Sequence, residues 1–284
     1  MTTFQVIVYS IVQGVSELLP VSALAHRVAI AALVGWPMPS GIFLGALYLA
    51  SALAILTYFI HDWVSMLSCT IQLVIYRKRP MTLDERMPLF LLLATLPVSV
   101  AWYYGSDEIA ALLTDSHALL GVGVLLAVFT LPLVWADGWG RKNRGMFDWS
   151  IKDSLAVGFA QALSVLPGCG RTNGAYFGGL MRNFTRESAA KFGYFASLPV
   201  FTLGAVIHLR DFSFHPPEPM TDLSWMSLAV GFLVAYFASL LAINGFNKFV
   251  QGGQNATMGR YGAYRFALAA AMIGLYFYRA RTGG

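Results

Sequence analysis

The chain has 284 residues, of which 57% are hydrophobic and only 12% are charged. Soluble domains carry about 25% charged residues, so the composition excludes an ordinary soluble protein and predicts an all-α polytopic membrane protein, residues 1–284, in a single domain. The formal net charge is +5, but Lys and Arg cluster between apolar runs, which is typical of positive-inside topology and lipid contact rather than nucleic-acid binding.

Six apolar runs are long enough to cross a bilayer, which takes about 20 residues or somewhat fewer. A further stretch, 62–76, fits either an interfacial helix or another short span. The six predicted spans are 41–60, 87–105, 118–137, 193–209, 225–245 and 263–279.

Four shorter apolar runs form two pairs, and a polar turn with a proline, Pro20 or Pro167, breaks each pair. Runs of this length favour half-helices that enter the membrane and return. The alternative is two unrelated proline kinks in ordinary spans. The four runs are 4–19, 22–36, 154–166 and 172–182.

The charges of the connections predict the sides of the membrane. Segments 76–86 and 138–152 are rich in Lys and Arg and are expected in the cytoplasm. The loop between the second and third spans carries Asp107, Glu108 and Asp115 without Lys or Arg, so it is expected outside. Segment 210–224 is also expected outside.

The two broken pairs resemble each other. "QGVSELLPVSALAH" and "AQALSVLPGCGRTN" align on their Leu-Pro steps, and the prolines are 167 − 20 = 147 residues apart. This predicts an inverted repeat, about 1–137 and about 150–284, each half a re-entrant hairpin plus about three transmembrane helices. Such repeats place the functional site near the midplane, at the interface between the halves.

Gln13 and Glu17 are the first polar groups with a predicted function. A carboxylate inside an apolar run is costly unless it is paired, protonated or solvated. Gln13 precedes Glu17 by four residues and shares its helix face. Two oxygen ligands suit a divalent cation, Mg²⁺ or Ca²⁺; the alternative is a structural hydrogen-bonded pair.

His26 and Arg27 follow the first turn. An imidazole can act as base, acid or nucleophile near neutral pH, although a lone His is often only a packing residue. The Arg27 guanidinium could bind phosphate or extend to the membrane surface.

Arg171 opens a short helix after Gly168 and Gly170, whose missing side chains let a ligand approach the backbone. A helix N-terminus with a guanidinium suits a phosphate group. Thr172 and Asn173 add neutral donors. The alternative is a capping arginine at the interface.

These residues resemble the undecaprenyl-diphosphatase family of bacterial membrane proteins, the bacitracin-resistance type. "QGVSELLPVSALAH" is similar to the family's first motif and "PGCGRT" to its second, while "GGLMRNFTRESAAKFGYFASLPV" and "GAYRFALAAA" resemble later stretches. The resemblance implies a multi-pass protein of the bacterial inner membrane that removes one phosphate from a C55 polyprenyl diphosphate with a divalent cation. That activity recycles the lipid carrier for cell-wall synthesis. The sequence leaves a monomer and a homodimer open.

The resemblance also carries over to individual residues. It implies Gln13 and Glu17 as metal ligands, Glu17, His26 and Arg171 as catalytic residues, and a set of substrate-binding residues. Two motif serines are replaced, by Ala23 and Gly170, which excludes either as a nucleophile. The alternative is a polyprenyl-phosphate transporter or flippase that binds without hydrolysis. Together with the residues argued above from their own chemistry, the predicted binding residues are Ser22, Arg27, Gly168, Gly170, Thr172 and Asn173.

Overall fold

A computed structural model of the protein describes residues 1–114, 117–209, 224–253 and 257–282. Over these ranges the chain forms eleven α-helices and no β-strand. The helices are α1 (Thr3–Leu18), α2 (Ala23–Val34), α3 (Gly41–Tyr58), α4 (Ile60–Tyr76), α5 (Leu83–Thr114), α6 (Ala118–Trp139), α7 (Ile151–Ala162), α8 (Arg171–Met181), α9 (Arg186–Leu209), α10 (Trp225–Gln251) and α11 (Gly259–Thr282).

Five predicted spans are confirmed as helices long and apolar enough to cross a membrane: α3, α5, α6, α9 and α10. The sixth, 263–279, lies in the 24-residue helix α11. It is not among those five in the part of the chain that the structure describes, because Arg265 interrupts its apolar run and further arginines lie at its ends. The ambiguous stretch 62–76 forms α4. The chain is therefore an all-α, multi-pass membrane protein.

The predicted end of the second span is confirmed, but the loop expected after it is wrong. The apolar part of α5, Leu83–Gly105, ends at the predicted residue. The helix itself continues to Thr114 and includes Asp107 and Glu108. Polar residues end a membrane span without ending a helix, because water can solvate their side chains along further helical turns. Asp115, at the end of the predicted acidic loop, lies outside the described residues. So do residues 210–223, which make up all but the last residue of the other segment expected outside, 210–224.

The two predicted breaks are confirmed. Helices α1 and α2 have 16 and 12 residues, and α7 and α8 have 12 and 11. Each is shorter than the roughly 20 residues that cross a bilayer. Pro20 follows the end of α1, and Pro167 follows a 3₁₀ turn, Leu163–Val165, that extends α7. Both pairs are thus two short helices joined by a proline turn.

The helices of the two halves pack in a reciprocal pattern. Helix α1 packs on α10 and α7 packs on α5, while α3 pairs with α9 and α6 with α11. Glycines allow the first two contacts. A Cβ on Gly14 of α1 would lie 2.5 Å from the carbonyl oxygen of Ala235, and a Cβ on Gly158 of α7 would lie 2.6 Å from the carbonyl oxygen of Ala94. A twofold relation between the halves would produce this pattern. The inverted orientation and the repeat bounds 1–137 and 150–284 stay predictions.

A buried carboxylate fixes the start of the second hairpin. Asp153, in the first turn of α7, accepts hydrogen bonds from Arg144 Nη1 and Nη2 at 2.9 and 2.6 Å and from Arg182 Nε at 2.7 Å. Ser150 Oγ donates to it at 2.6 Å. Burial would raise the pKa of Asp153, but these hydrogen bonds and the charge of Arg144 outweigh it and lower the pKa to about 2.

Asp153→Asn is expected to lower the free energy of unfolding at neutral pH by about 2 kcal/mol, because it weakens the charge-assisted hydrogen bonds that the buried carboxylate accepts from the partly exposed Arg144 and Arg182. The pKa is depressed in the folded state, so the carboxylate stabilises the protein above about pH 4, its unfolded value. That contribution falls as the pH drops towards 2, in the wild type only. Thermal unfolding in detergent measures both effects, with Glu187→Gln on the exposed surface as the control. Equal thermal unfolding midpoints for Asp153→Asn and the wild type would contradict the conclusion that the Asp153 carboxylate stabilises the fold.

Candidate functional site

Arg265 of α11 connects the two proline turns. Its Nη1 donates to the Pro20 carbonyl at 3.1 Å, its Nη2 to the Gly168 carbonyl at 2.7 Å and its Nε to Thr130 Oγ1 of α6 at 2.8 Å. The side chain is fully buried. One guanidinium therefore holds the broken ends of both hairpins against each other.

The first residues of α2 and α8 meet at this junction. Ser22 caps α2, with its Oγ accepting from the Ala25 N–H at 3.4 Å, and Gly170 is the cap position of α8. A Cβ on Gly170 would lie 3.6 Å from the Ser22 Cα, so the two caps are neighbours. Helix N-termini present N–H groups without intrahelical partners and a positive dipole end. Two of them converge here, which favours an anion.

The sequence alignment of the two hairpins on Pro20 and Pro167 is displaced by one residue from the structural correspondence at the N-caps of α2 and α8. The sequence suggests that Ala23 and Gly170 are equivalent, since each lies three residues after its proline. In the structure Ala23 is the first helical residue of α2, whereas Gly170 is a cap with a φ of +80°. The second turn is one residue longer, so Gly170 corresponds to Ser22, whose φ is +72°. The two missing hydroxyls are thus not symmetric.

Four side chains form a buried network that joins both hairpins. Gln13 Nε2 donates to Glu17 Oε2 at 2.9 Å, and Arg171 Nη1 donates to Glu17 Oε1 at 3.3 Å. Arg27 Nη1 donates to Gln13 Oε1. All four residues are buried, so Arg27 does not extend to the membrane surface. The network runs from Arg27 through Gln13 and Glu17 to Arg171.

Two aromatic rings lie against the guanidinium of Arg171. The Cζ atom lies 4.4 Å from the ring centroid of Tyr48 and 4.6 Å from that of Trp102. Such stacking stabilises a planar guanidinium away from water. The Nε of Arg171 has no hydrogen-bond partner although it is buried. The side chain is fixed in orientation and keeps a donor for a ligand.

Thr172 and Asn173 lie beside Arg171 at the start of α8. Thr172 Oγ1 is 3.4 Å from Ser197 Oγ of α9, and Asn173 Nδ2 donates to the Cys169 carbonyl at 2.8 Å. The Asn173 Oδ1 atom is buried without a partner. Asn173 thus binds the turn and leaves its oxygen without a partner, while Thr172 connects α8 to α9.

His26 makes its contacts elsewhere. Its Nδ1 lies 2.7 Å from the Ser22 carbonyl and its Nε2 lies 2.6 Å from the Tyr264 hydroxyl. A carbonyl only accepts, so Nδ1 carries the proton, and Nε2 accepts from Tyr264. The structure therefore joins Gln13, Glu17, Arg27 and Arg171, and places His26 in a separate contact with Tyr264.

The imidazole lines a groove of about 520 Å³. One side of this groove is formed by Ile11, Val12, Val15 and Ser16 of α1 and by Leu19, which follows the helix. At 100° per residue the four helical positions lie on the opposite face of α1 from Gln13 and Glu17. Residues of α10 and α11, namely Phe249, Arg260, Tyr261 and Tyr264, close the other side.

Gln13 and Glu17 are the predicted ligands of Mg²⁺ or Ca²⁺. Such a cation takes six or more oxygen ligands, some from water or phosphate, and at this site the protein oxygens of both residues would have to face it. Gln13 turns its carbonyl towards Arg27 and its NH₂ towards Glu17, and Glu17 is shared with Arg171. Among the described residues no group of three or more His, Cys, Asp or Glu side chains could hold a metal. As arranged, these residues do not fit a divalent cation.

Sequence reasoning missed Arg265 as a site residue. A single arginine inside the apolar run 263–279 is the signal that could have found it, because an intramembrane charge needs a buried partner. Tyr48 and Trp102 carry no such signal, since aromatic residues are common in membrane helices and only the fold brings these two to Arg171.

One protein-family model that matches the chain is described as "Bacitracin resistance protein BacA". The match covers residues 6–271, which includes both proline turns and all the site residues described above.

Proposed function

The chain belongs to the bacitracin resistance protein BacA family, and from this membership we propose that it hydrolyses undecaprenyl diphosphate to undecaprenyl phosphate and inorganic phosphate. The family is associated with undecaprenyl-diphosphate phosphatase activity in general. The proposed setting is the bacterial inner membrane, where the reaction returns the lipid carrier to cell-wall synthesis.

The observation that carries this proposal is the buried junction of Arg171 and Glu17 where two helix N-termini meet. A phosphate group is recognised by guanidinium N–H groups and by the free N–H groups of a helix start. The unpartnered Arg171 Nε is such a donor. The headgroup would therefore lie between the two turns, with Arg171 stabilising charge on the phosphoryl oxygens.

Water is the proposed nucleophile, because Ala23 and Gly170 provide no hydroxyl and the hydroxyls of Ser22 and Thr172 contact the Ala25 N–H and Ser197 Oγ. The water oxygen bonds to the terminal phosphorus while the bond from that phosphorus to the bridging oxygen breaks. Polyprenyl phosphate leaves, and the proton of the water passes to a base. His26 Nε2 is suited to that role when the water takes the place of the Tyr264 hydroxyl, because its tautomer leaves this nitrogen unprotonated. Ser22 connects it to the junction, since its carbonyl binds His26 and its backbone lies beside Gly170.

The groove beside His26 is the proposed site for the first isoprene units. Its walls are mostly apolar and belong to α1, α10 and α11, and its polar groups include His26, Arg260 and Tyr264. A prenyl chain gains roughly 25 cal/mol for each Å² of apolar surface buried, so such a groove favours a long isoprenoid over a water-soluble diphosphate.

Phosphate release from undecaprenyl diphosphate by the purified protein tests this function. The wild type is expected to release phosphate, and His26→Ala to be about 10²-fold slower, the usual effect of losing a general base. His61→Ala, at an exposed position at the start of α4, is the matched control and should keep the wild-type rate. Full activity of the His26→Ala protein would show that His26 is not the general base.

A further inference from the structure

We infer that the guanidinium of Arg27 takes the place of a divalent cation in this chain, so that two arginines hold the phosphate headgroup without a metal. The inference rests on the proposed function in one respect, namely that the ligand carries a phosphate group. It deepens that function by assigning a role to a residue, Arg27, that the sequence left open between phosphate binding and membrane-surface contact.

The orientation of the Gln13 amide is the first argument. Its Oε1 accepts from Arg27 and its Nε2 donates to Glu17. If the Gln13 amide were rotated by half a turn about its last side-chain bond, both hydrogen bonds would be lost. The NH₂ group would then face the guanidinium of Arg27, and the carbonyl oxygen would face the carboxylate of Glu17. A cation shared by Gln13 and Glu17 requires both oxygens on one side. Arg27 therefore fixes the amide in the orientation that cannot provide such a pair.

The charge of the network is the second argument. Arg27, Arg171 and Glu17 are 5%, 6% and 7% exposed, and together they carry a charge of +2 − 1 = +1. In the absence of a ligand, a divalent cation would raise this to +3 among groups that are removed from water, where like charges repel strongly. A phosphate anion instead offsets the excess positive charge. The empty network therefore favours an anion over a divalent cation.

Unsatisfied donors are the third argument. The Nε atoms of both Arg27 and Arg171 are buried without a hydrogen-bond partner, and a buried unpaired polar group costs about 1–3 kcal/mol. Both arginines attach to the i, i+4 pair of Gln13 and Glu17 on α1, whose members lie about 6 Å apart along the helix axis. Guanidinium groups bind phosphate oxygens through paired N–H donors. A phosphate group at this point would satisfy donors from both.

Mn²⁺ binding, followed by electron paramagnetic resonance of the purified full-length protein, tests the exclusion of metal directly. The wild type is expected to leave Mn²⁺ free in solution, whereas Gln13→Glu with Arg27→Leu is expected to bind it, because two carboxylates then face the site without the competing guanidinium. Arg281→Leu, which removes an exposed arginine of α11, is the matched control and should behave as the wild type. Stoichiometric Mn²⁺ binding by the wild type that Glu17→Gln abolishes would overturn the inference, and so would a folded double variant that binds none.

Binding of farnesyl diphosphate, with EDTA or with Mg²⁺, tests the role of the two arginines. The wild type should bind equally well in both, and Arg27→Leu alone should bind about tenfold more weakly in EDTA, the effect of one charge-assisted hydrogen bond. This single variant keeps the test decisive if the double variant does not fold. Wild-type binding that needs Mg²⁺ would overturn the inference and leave the proposed function intact. Absence of binding under both conditions would overturn the proposed function and the inference with it.

Discussion

Arg171→Lys is expected to lower phosphate release about 10²-fold or more, the scale seen when one donor to a developing oxyanion is removed. Lysine keeps the charge but not the planar fork that contacts Tyr48 and Trp102 and donates to Glu17. An ammonium group can replace one of these contacts at a time. The loss should therefore lie in the catalytic rate, with the protein still folded.

Arg141→Lys is the matched control for this substitution, since Arg141 is exposed in the connection after α6. Its rate should equal that of the wild type. The thermal midpoint of Arg171→Lys, measured in the same detergent, separates a lost catalytic contact from a lost fold. An Arg171→Lys protein with the wild-type rate would contradict the assignment of Arg171 to the phosphoryl group.

Arg265→Leu is expected to affect both stability and activity. It leaves the carbonyls of Pro20 and Gly168 and the hydroxyl of Thr130 without their donor, and each unsatisfied buried group costs about 1–3 kcal/mol. Release of the turns from each other would also move Glu17 relative to Arg171, and a shift of about 1 Å can lower a rate about 10²-fold. A lower thermal midpoint and a slower phosphate release should appear together.

Arg281→Leu on the same helix serves as the control, because it removes an exposed arginine and no contact between the turns. Arg265→Lys keeps the positive charge, but an ammonium group cannot donate to all three acceptors arranged around the planar guanidinium. Its thermal midpoint and its rate of phosphate release should therefore lie between those of the wild type and Arg265→Leu. An Arg265→Leu protein with the stability and rate of the wild type would show that the turns are held by other contacts.

The membrane spans could be predicted from the sequence because bilayer thickness translates into the length of an apolar run. Five of the six runs met that criterion. Helix α11 shows its limit, since Arg265 lowers the apolar character of a helix whose charge is satisfied by Pro20 and Gly168. The end of α5 at Thr114 was missed because hydropathy reports where a helix leaves the membrane and not where it ends.

The site was predictable where contacts are local. The Gln13–Glu17 hydrogen bond follows from their spacing on one helix face. The partner of Arg27 did not follow, because the turn at Pro20 sets how α2 folds back on α1. His26 and Tyr264 are 238 residues apart, and no local pattern joins positions so distant. The one-residue slip between the turns arises from their unequal length.

Phosphate release from undecaprenyl diphosphate by the purified wild type, measured with EDTA present, tests the proposed metal-free hydrolysis. We expect inorganic phosphate to appear and undecaprenyl phosphate to accumulate in equal amount, at a rate that Arg171→Lys reduces. The contradicting result is a folded wild type that binds undecaprenyl phosphate through Arg171 but releases no phosphate with or without Mg²⁺ or Ca²⁺. That outcome would show that the junction of the two turns binds or transports the lipid and that the protein does not hydrolyse it.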